Sequence, residues 1–195
     1  MDRRSMFRVG GHGATGVGSS RPTYIFSPDS ATFATGGFPQ LKKGTGSATG
    51  LRWPAYTLDY SASVAEAAFW YVGIPTGANF NGGALEIFSR FATAGTGTPA
   101  WRAVGWTITA RAVGPLGAWN ATGVVSTITG TAVPTTACQV VRQSVALSVS
   151  GWAEGKVLQI KVARTTLATS ALVTGTARPD AKFGRALLRL TQDGA

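Results

Sequence analysis

The feature that most constrains this chain is a succession of short segments in which apolar and polar residues alternate with period two. Such alternation sends every second side chain to one face of a β-strand. Tyr56, Leu58 and Tyr60 share a face in LRWPAYTLDYS, and Ala68, Trp70, Val72 and Ile74 oppose Phe69 and Tyr71. Leu85, Ile87 and Phe91 oppose Glu86, Phe88 and Arg90; Val104, Trp106 and Ile108 oppose Thr107, Thr109 and Arg111. Val125, Thr127 and Thr129 oppose Val124, Ser126 and Ile128, and Val145, Leu147 and Val149 oppose Ala146 and Ser148. Leu158, Ile160 and Val162 oppose Gln159 and Lys161, and Ala186, Leu188 and Leu190 oppose Leu187 and Arg189. These eight strands are separated by Gly-, Pro-, Asn- and Thr-built turns such as IPTGANFNGG, TAGTGTP and VGPLGAWNATG. No helical segment of ~10–15 residues lies between them, and SVAEAA (63–68) amounts to one helical turn at most. The pattern predicts an all-β, antiparallel β-sandwich, with an eight-stranded jelly roll as first choice. No repeat recurs at a period of ~20–50 residues, which argues against a propeller or solenoid.

The text before Leu51 differs. Residues 1–22 are rich in Gly, Arg and Ser and show neither helical nor strand period. In residues 23–50, Tyr24, Phe26, Phe33, Phe38 and Leu41 stand singly among Gly and Pro, spaced like side chains that pin an extended segment onto another surface. The expected organisation is an extended Gly/Arg-rich N-terminal arm over 1–50 and a sandwich domain over 51–195. The arm's expected interface residues are Arg3, Arg4, Arg8, Arg21, Tyr24, Phe26, Phe33 and Phe38.

Charge is scarce and one-sided. Charged residues are 13% of the chain, about half the usual ~25%. Within that set, 18 Lys and Arg face 8 Asp and Glu, a formal net charge of +10. Arg3, Arg4, Arg8 and Arg21 share their segment with Asp2 alone. A flexible arginine arm can neutralise phosphates, but four arginines are few for packaging, and an acidic protein surface fits at least as well. The cations of the body, Arg52, Arg90, Arg102, Arg111, Arg142, Lys156, Lys161, Arg164, Arg178, Lys182, Arg185 and Arg189, read as dispersed over solvated strand faces or interface rims. A surface with so little charge suits interfaces, and nucleic acid is the less favoured partner.

Catalytic chemistry finds no support. The single histidine, His12, lies in the glycine-rich GGHGATG, which cannot hold an imidazole in fixed geometry. The single cysteine, Cys138, cannot form an internal disulfide, and with His12 it falls short of a zinc ligand set. Asp59, Glu66, Glu86, Glu154, Asp180 and Asp193 form no local carboxylate pair. The glycines of GGHGATGVG have no strand before them and no helix after them, as a dinucleotide site requires. No calcium loop is present. The expectation is a non-enzyme with no cofactor and no metal. No apolar run reaches the ~18 residues of a membrane span, and no apolar stretch follows the N-terminal arginines as in a secretory signal; synthesis in the cytoplasm is expected. Trp70 and Trp106 read as core. Trp119 and Trp152 sit in loops and are the candidate contacts to sugar or protein.

The order of these segments resembles a group of tailed-bacteriophage virion proteins. That group carries an aromatic–Asp–aromatic strand, a Glu-led aromatic strand ending in Pro, a Gly-Gly turn and a W-x-(I/V) strand. Here Tyr56–Tyr60, Glu66–Pro75, Gly82–Gly83 and Val104–Ile108 follow in that order, and GWAEGKVLQIKVAR and FGRALLRL resemble its later strands. The likeness runs from about Leu51 to Leu190. The turn ARTTLATSALVTG lacks the acid of the group's Arg–Asp-rich turn. The resemblance implies a jelly-roll virion component docked by an N-terminal extension. The leading expectation is a capsid decoration or cement protein, with the major capsid protein or other virion proteins as partners and a trimer as the favoured homo-oligomer. Two alternatives are a tail- or fibre-associated protein that binds host glycan and a single-jelly-roll capsid subunit with a nucleic-acid-binding arm.

Overall fold

A computed structural model describes residues 22–33, 36–43, 56–61, 66–75, 80–91, 103–117, 122–132, 140–148, 151–165 and 181–192. Each alternating segment is a strand: β4 (Tyr56–Tyr60), β5 (Ala67–Gly73), β6 (Phe80–Phe91), β7 (Ala103–Val113), β8 (Val124–Ala132), β9 (Val140–Leu147), β10 (Val157–Thr165) and β11 (Ala181–Gln192). Three shorter strands precede them: β1 (Thr23–Phe26), β2 (Thr32–Phe33) and β3 (Gln40–Lys43), with a 3-10 turn at Pro28–Ser30 between β1 and β2.

The strands form two antiparallel sheets. One runs β3-β4-β11-β6-β9, with β1 also on β11, and the other runs β2-β5-β10-β7-β8. From β4 onward, each connection crosses to the opposite sheet except the β7–β8 hairpin. This is the jelly-roll sandwich expected from the sequence. One flank of β11 pairs with β6 along its length. The other flank is divided: β4 takes Ala181–Phe183 and β1 takes Ala186–Arg189.

The register of β11 shifts between Phe183 and Arg185. The extra residue there is Gly184, where a β-bulge needs no side chain. The bulge reverses the inside–outside parity. Phe183 faces inward before it; Ala186, Leu188 and Leu190 face inward after it, all buried. Strict alternation would have put Arg185 on the same face as Phe183.

The core is aromatic at its centre. Trp70 of β5 lies 5.2 Å from Phe183 of β11, ring centre to ring centre, and 5.9 Å from Phe26 of β1. Tyr60 of β4 meets Trp106 of β7 edge to face at 5.1 Å, a favoured geometry for ring quadrupoles. Leu58, Leu85, Ile87, Ile108, Leu158, Ile160 and Leu188 complete the interior with no measurable exposure. Polar contacts also tie the sheets through this interior. Tyr60 Oη donates to the Val162 carbonyl at 3.0 Å, and Trp106 Nε1 donates to Gln143 Oε1 at 2.9 Å. Burial pushes the Tyr60 phenol well above its ordinary range, and the Glu66 carboxylate adds to the rise.

Residues 22–43 depart from a separate arm. They supply three strands of the sandwich itself, so eleven strands appear among the described residues where eight were expected. Phe26 is 2% exposed within the core. Ser27 turns its carbonyl to the Trp70 indole N–H at 2.9 Å. Phe26 and the backbone pairings of β1, β2 and β3 thus hold this stretch on the chain's own two sheets, while Phe33, Phe38 and Leu41 stay exposed. The rest of the expected arm, 1–21, 34–35 and 44–50, lies outside the described residues.

Candidate interaction surface

Among the described residues, no group of three or more His, Cys, Asp or Glu side chains is placed to hold a metal ion. No helix among them is long and apolar enough to cross a membrane. The chemistry available lies on the outer faces of the sheets.

On the six-stranded sheet, cross-strand register assembles three rows. Ile25 of β1 sits opposite Leu187 of β11, which sits opposite Glu86 of β6, then Ser144 of β9. One row away are Arg185, Phe88 and Arg142; on the other side are Thr23, Arg189, Ala84 and Ala146. Glu86 anchors this face. Its Oε1 lies 2.6 Å from Arg142 Nη2 and its Oε2 lies 3.5 Å from Arg189 Nη2. The carboxylate is buried beneath two largely exposed arginines, and burial of a charge is tolerated only with such pairing. The Arg185 guanidinium lies over the Phe88 ring, 4.8 Å from its centre. Ile25 is 65% exposed beside this array. At the sheet's far side, Lys42 Nζ pairs with the buried Asp59 at 3.2 Å, and Thr57 donates to the same carboxylate at 3.0 Å.

The body's cations are thus less dispersed than the sequence suggests. Arg142, Arg185 and Arg189 come from strands far apart in the chain and meet because β9, β6 and β11 are neighbours. Arg164 corrects the reading of solvated strand cations in another way. It points inward from β10, is buried, and donates to the Tyr60 carbonyl at 3.2 Å.

The five-stranded sheet carries a different face. Tyr71, Gln159 and Arg111 occupy one register row across β5, β10 and β7. Arg111 Nε donates to Gln159 Oε1, and Gln159 Nε2 donates to Tyr71 Oη at 3.0 Å. The next row holds Phe69, Lys161, Thr109 and Val125, with Lys161 Nζ 5.9 Å from the Phe69 ring centre.

The sequence-derived candidates fare unevenly. Trp152 is a correction: at 2% exposed it is a core side chain, not a loop contact. Gly151 and Gly155 both have φ of 76°, the left-handed region that glycine adopts without strain. These turns fold GWAEGK back on itself, and Lys156 Nζ closes it on the Gly151 carbonyl at 2.6 Å. The Trp152 carbonyl then accepts the Phe80 N–H at the start of β6. Trp119 lies outside the described residues, as do Arg3, Arg4, Arg8 and Arg21. Phe26 belongs to the core and Tyr24 packs half-buried against it, while Phe33 and Phe38 are exposed with their rings 5.7 Å apart. Sequence reasoning missed Ile25, Phe88, Glu86 and the three arginines as a group. Its only available signal was the outward parity of Glu86, Phe88, Leu187 and Arg189.

No protein-family model and no curated protein sequence matches this chain. Solved structures do resemble it. The enzymatically active domain of tailspike protein 4 of bacteriophage CBA120 is 9% identical at a TM-score of 0.39, over 88% of this chain and 19% of its own. The CBM22-1–GH10 modules of a Clostridium thermocellum xylanase, complexed with xylohexaose, are 14% identical at 0.45, over 91% of this chain and 29% of their own. The Gt strain of infectious bursal disease virus is 8% identical at 0.39, over 88% of this chain and 33% of its own. This chain thus spans under a third of the tailspike and xylanase chains and a third of the bursal virus chain.

Proposed function

We propose that this chain is a non-enzymatic bacteriophage virion protein that decorates and stabilises a capsid, docking through its N-terminal segment onto the major capsid protein. One observation carries the reading. Three motifs that resemble tailed-phage virion proteins, Tyr56–Tyr60, Glu66–Pro75 and Val104–Ile108, fall on β4, β5 and β7, in the strand order of a jelly roll, whereas Gly82–Gly83, expected as a turn, lies within β6 opposite Thr191 and Leu190. The trimer expected from the sequence belongs to the same proposal.

The test uses capsids that lack the protein. Full-length protein is expected to occupy them saturably. Removal of residues 1–21 stops short of Pro22, whose carbonyl accepts the Leu190 N–H at 3.1 Å. That truncation is expected to raise the Kd for the capsid about tenfold, a loss of some 1.4 kcal/mol of binding. Unchanged occupancy overturns docking by the arm, and no occupancy by the full chain overturns decoration.

A second reading is favoured by the Tyr71–Gln159–Arg111 row. An exposed ring beside planar donors and acceptors is the chemistry that stacks on and hydrogen-bonds a sugar. Of the glycan contacts expected at Trp119 or Trp152, Trp152 is core and Trp119 lies outside the described residues. A glycan array decides it: binding by the wild type that Tyr71→Ala abolishes supports a glycan-binding virion protein, and a blank array removes it.

A further inference from the structure

We infer that the outer face of the six-stranded sheet, around Arg142, Arg185, Arg189, Phe88, Leu187 and Ile25, is a docking surface for an acidic protein partner. The inference rests on the capsid-binding reading and names the face and the partner's chemistry.

Charge is the first ground. Among the described side chains of this cluster, three arginines meet one carboxylate, Glu86, so three minus one leaves a formal excess of two positive charges. Glu86 orients Arg142 and Arg189, which lowers the entropic cost of ordering them against a partner. The Arg185 guanidinium lies over the Phe88 ring, 4.8 Å from its centre. A guanidinium over an aromatic ring keeps N–H donors for a carboxylate.

The apolar residues decide which anion is meant. Ile25, 65% exposed, stands directly opposite the half-buried Leu187, and Arg185 and Arg189 flank Leu187 along β11. A phosphate backbone offers nothing to such a centre, whereas a protein surface with carboxylates around apolar side chains complements both parts. Arginine and aromatic residues around an apolar middle are the composition of interface cores. The four strands β1, β11, β6 and β9 span about 14 Å at a spacing of ~4.8 Å, the scale of a central energetic cluster within a larger contact.

The experiment measures occupancy on capsids lacking the protein for the wild type, Arg185→Glu, Ile25→Glu and Val125→Glu. The first two substitutions leave both Glu86 ion pairs in place, and Val125 is exposed on the opposite sheet. Arg185→Glu and Ile25→Glu are each expected to weaken binding about tenfold or more, with Val125→Glu within about twofold of the wild type. Thermal melting confirms that each variant folds. A salt series on the unmutated protein needs no variant: occupancy is expected to fall severalfold between ~50 and ~500 mM salt. Full occupancy by both face variants, or no salt dependence, overturns the inference while leaving capsid decoration standing. Absence of wild-type binding overturns both. Displacement of the protein from capsids by duplex DNA that Arg185→Glu abolishes overturns the protein partner in favour of nucleic acid.

Discussion

The Trp106 indole N–H reaches across the sandwich to Gln143 Oε1 at 2.9 Å, joining β7 of one sheet to β9 of the other. Both side chains are buried, Trp106 completely. The contact satisfies two polar groups that would otherwise each be costly in an apolar interior.

Trp106→Phe is therefore expected to destabilise the fold by about 2–4 kcal/mol, through lost volume and an amide left without this donor. Gln143→Leu in the same chain is expected to restore part of that loss, because the amide that has lost its indole donor is replaced by an apolar side chain. Urea midpoints of the two single variants and the double variant form the cycle that checks it. Strict additivity would contradict the coupling.

Tyr60 predicts a pH dependence. Its phenol is raised in the folded state, first by burial and then by Glu66, whereas the unfolded phenol titrates near ~10. The contribution is thus complete below pH ~10 and is lost as pH rises beyond it, since only the unfolded chain then ionises readily. Tyr60→Phe should cost about 1 kcal/mol at neutral pH by removing the hydrogen bond to Val162. Its melting temperature should also fall less steeply than the wild type's between pH ~9 and ~11. Parallel profiles would refute the assignment.

Phe26 tests whether residues 22–33 belong to the sandwich. It is buried against Trp70. Phe26→Ala should cost about 3–5 kcal/mol, while Phe33→Ala, on an exposed ring, should stay within about 1 kcal/mol. Denaturant unfolding reads both. Equal small effects would show that β1 contributes little to the core.

Gly123 predicts a steric cost before β8. A Cβ there would lie 2.7 Å from Thr109 Cγ2 and 3.0 Å from the Ala110 carbonyl oxygen. Gly123→Ala is expected to destabilise by about 1–3 kcal/mol. Thr109→Ser removes the nearer obstacle, so the double variant should regain part of the stability. A melting series of the three variants provides the check.

Period-two alternation determined the long strands β4 to β11, because a sandwich strand must present one apolar face to the core and the other to solvent. Trp70, Ile87, Ile160 and Leu188 were legible as interior on that ground alone. The strands of residues 22–43 were not. They are two to four residues long, and their place depends on which edges and flanks β4, β5 and β11 leave open. Trp152 was misread as a contact because only the left-handed turns at Gly151 and Gly155 aim it inward. The bulge at Gly184 likewise decides that Arg185 faces out. The arginine face has the same origin: Arg142 is over forty residues from Arg185 in the chain, and only the hydrogen-bonded order β11-β6-β9 makes them neighbours around Phe88 and Glu86. Alternation is a local consequence of backbone geometry and can be read along the chain. Which outward side chains share a surface depends on strand pairing between distant segments, and only the tertiary structure decides it.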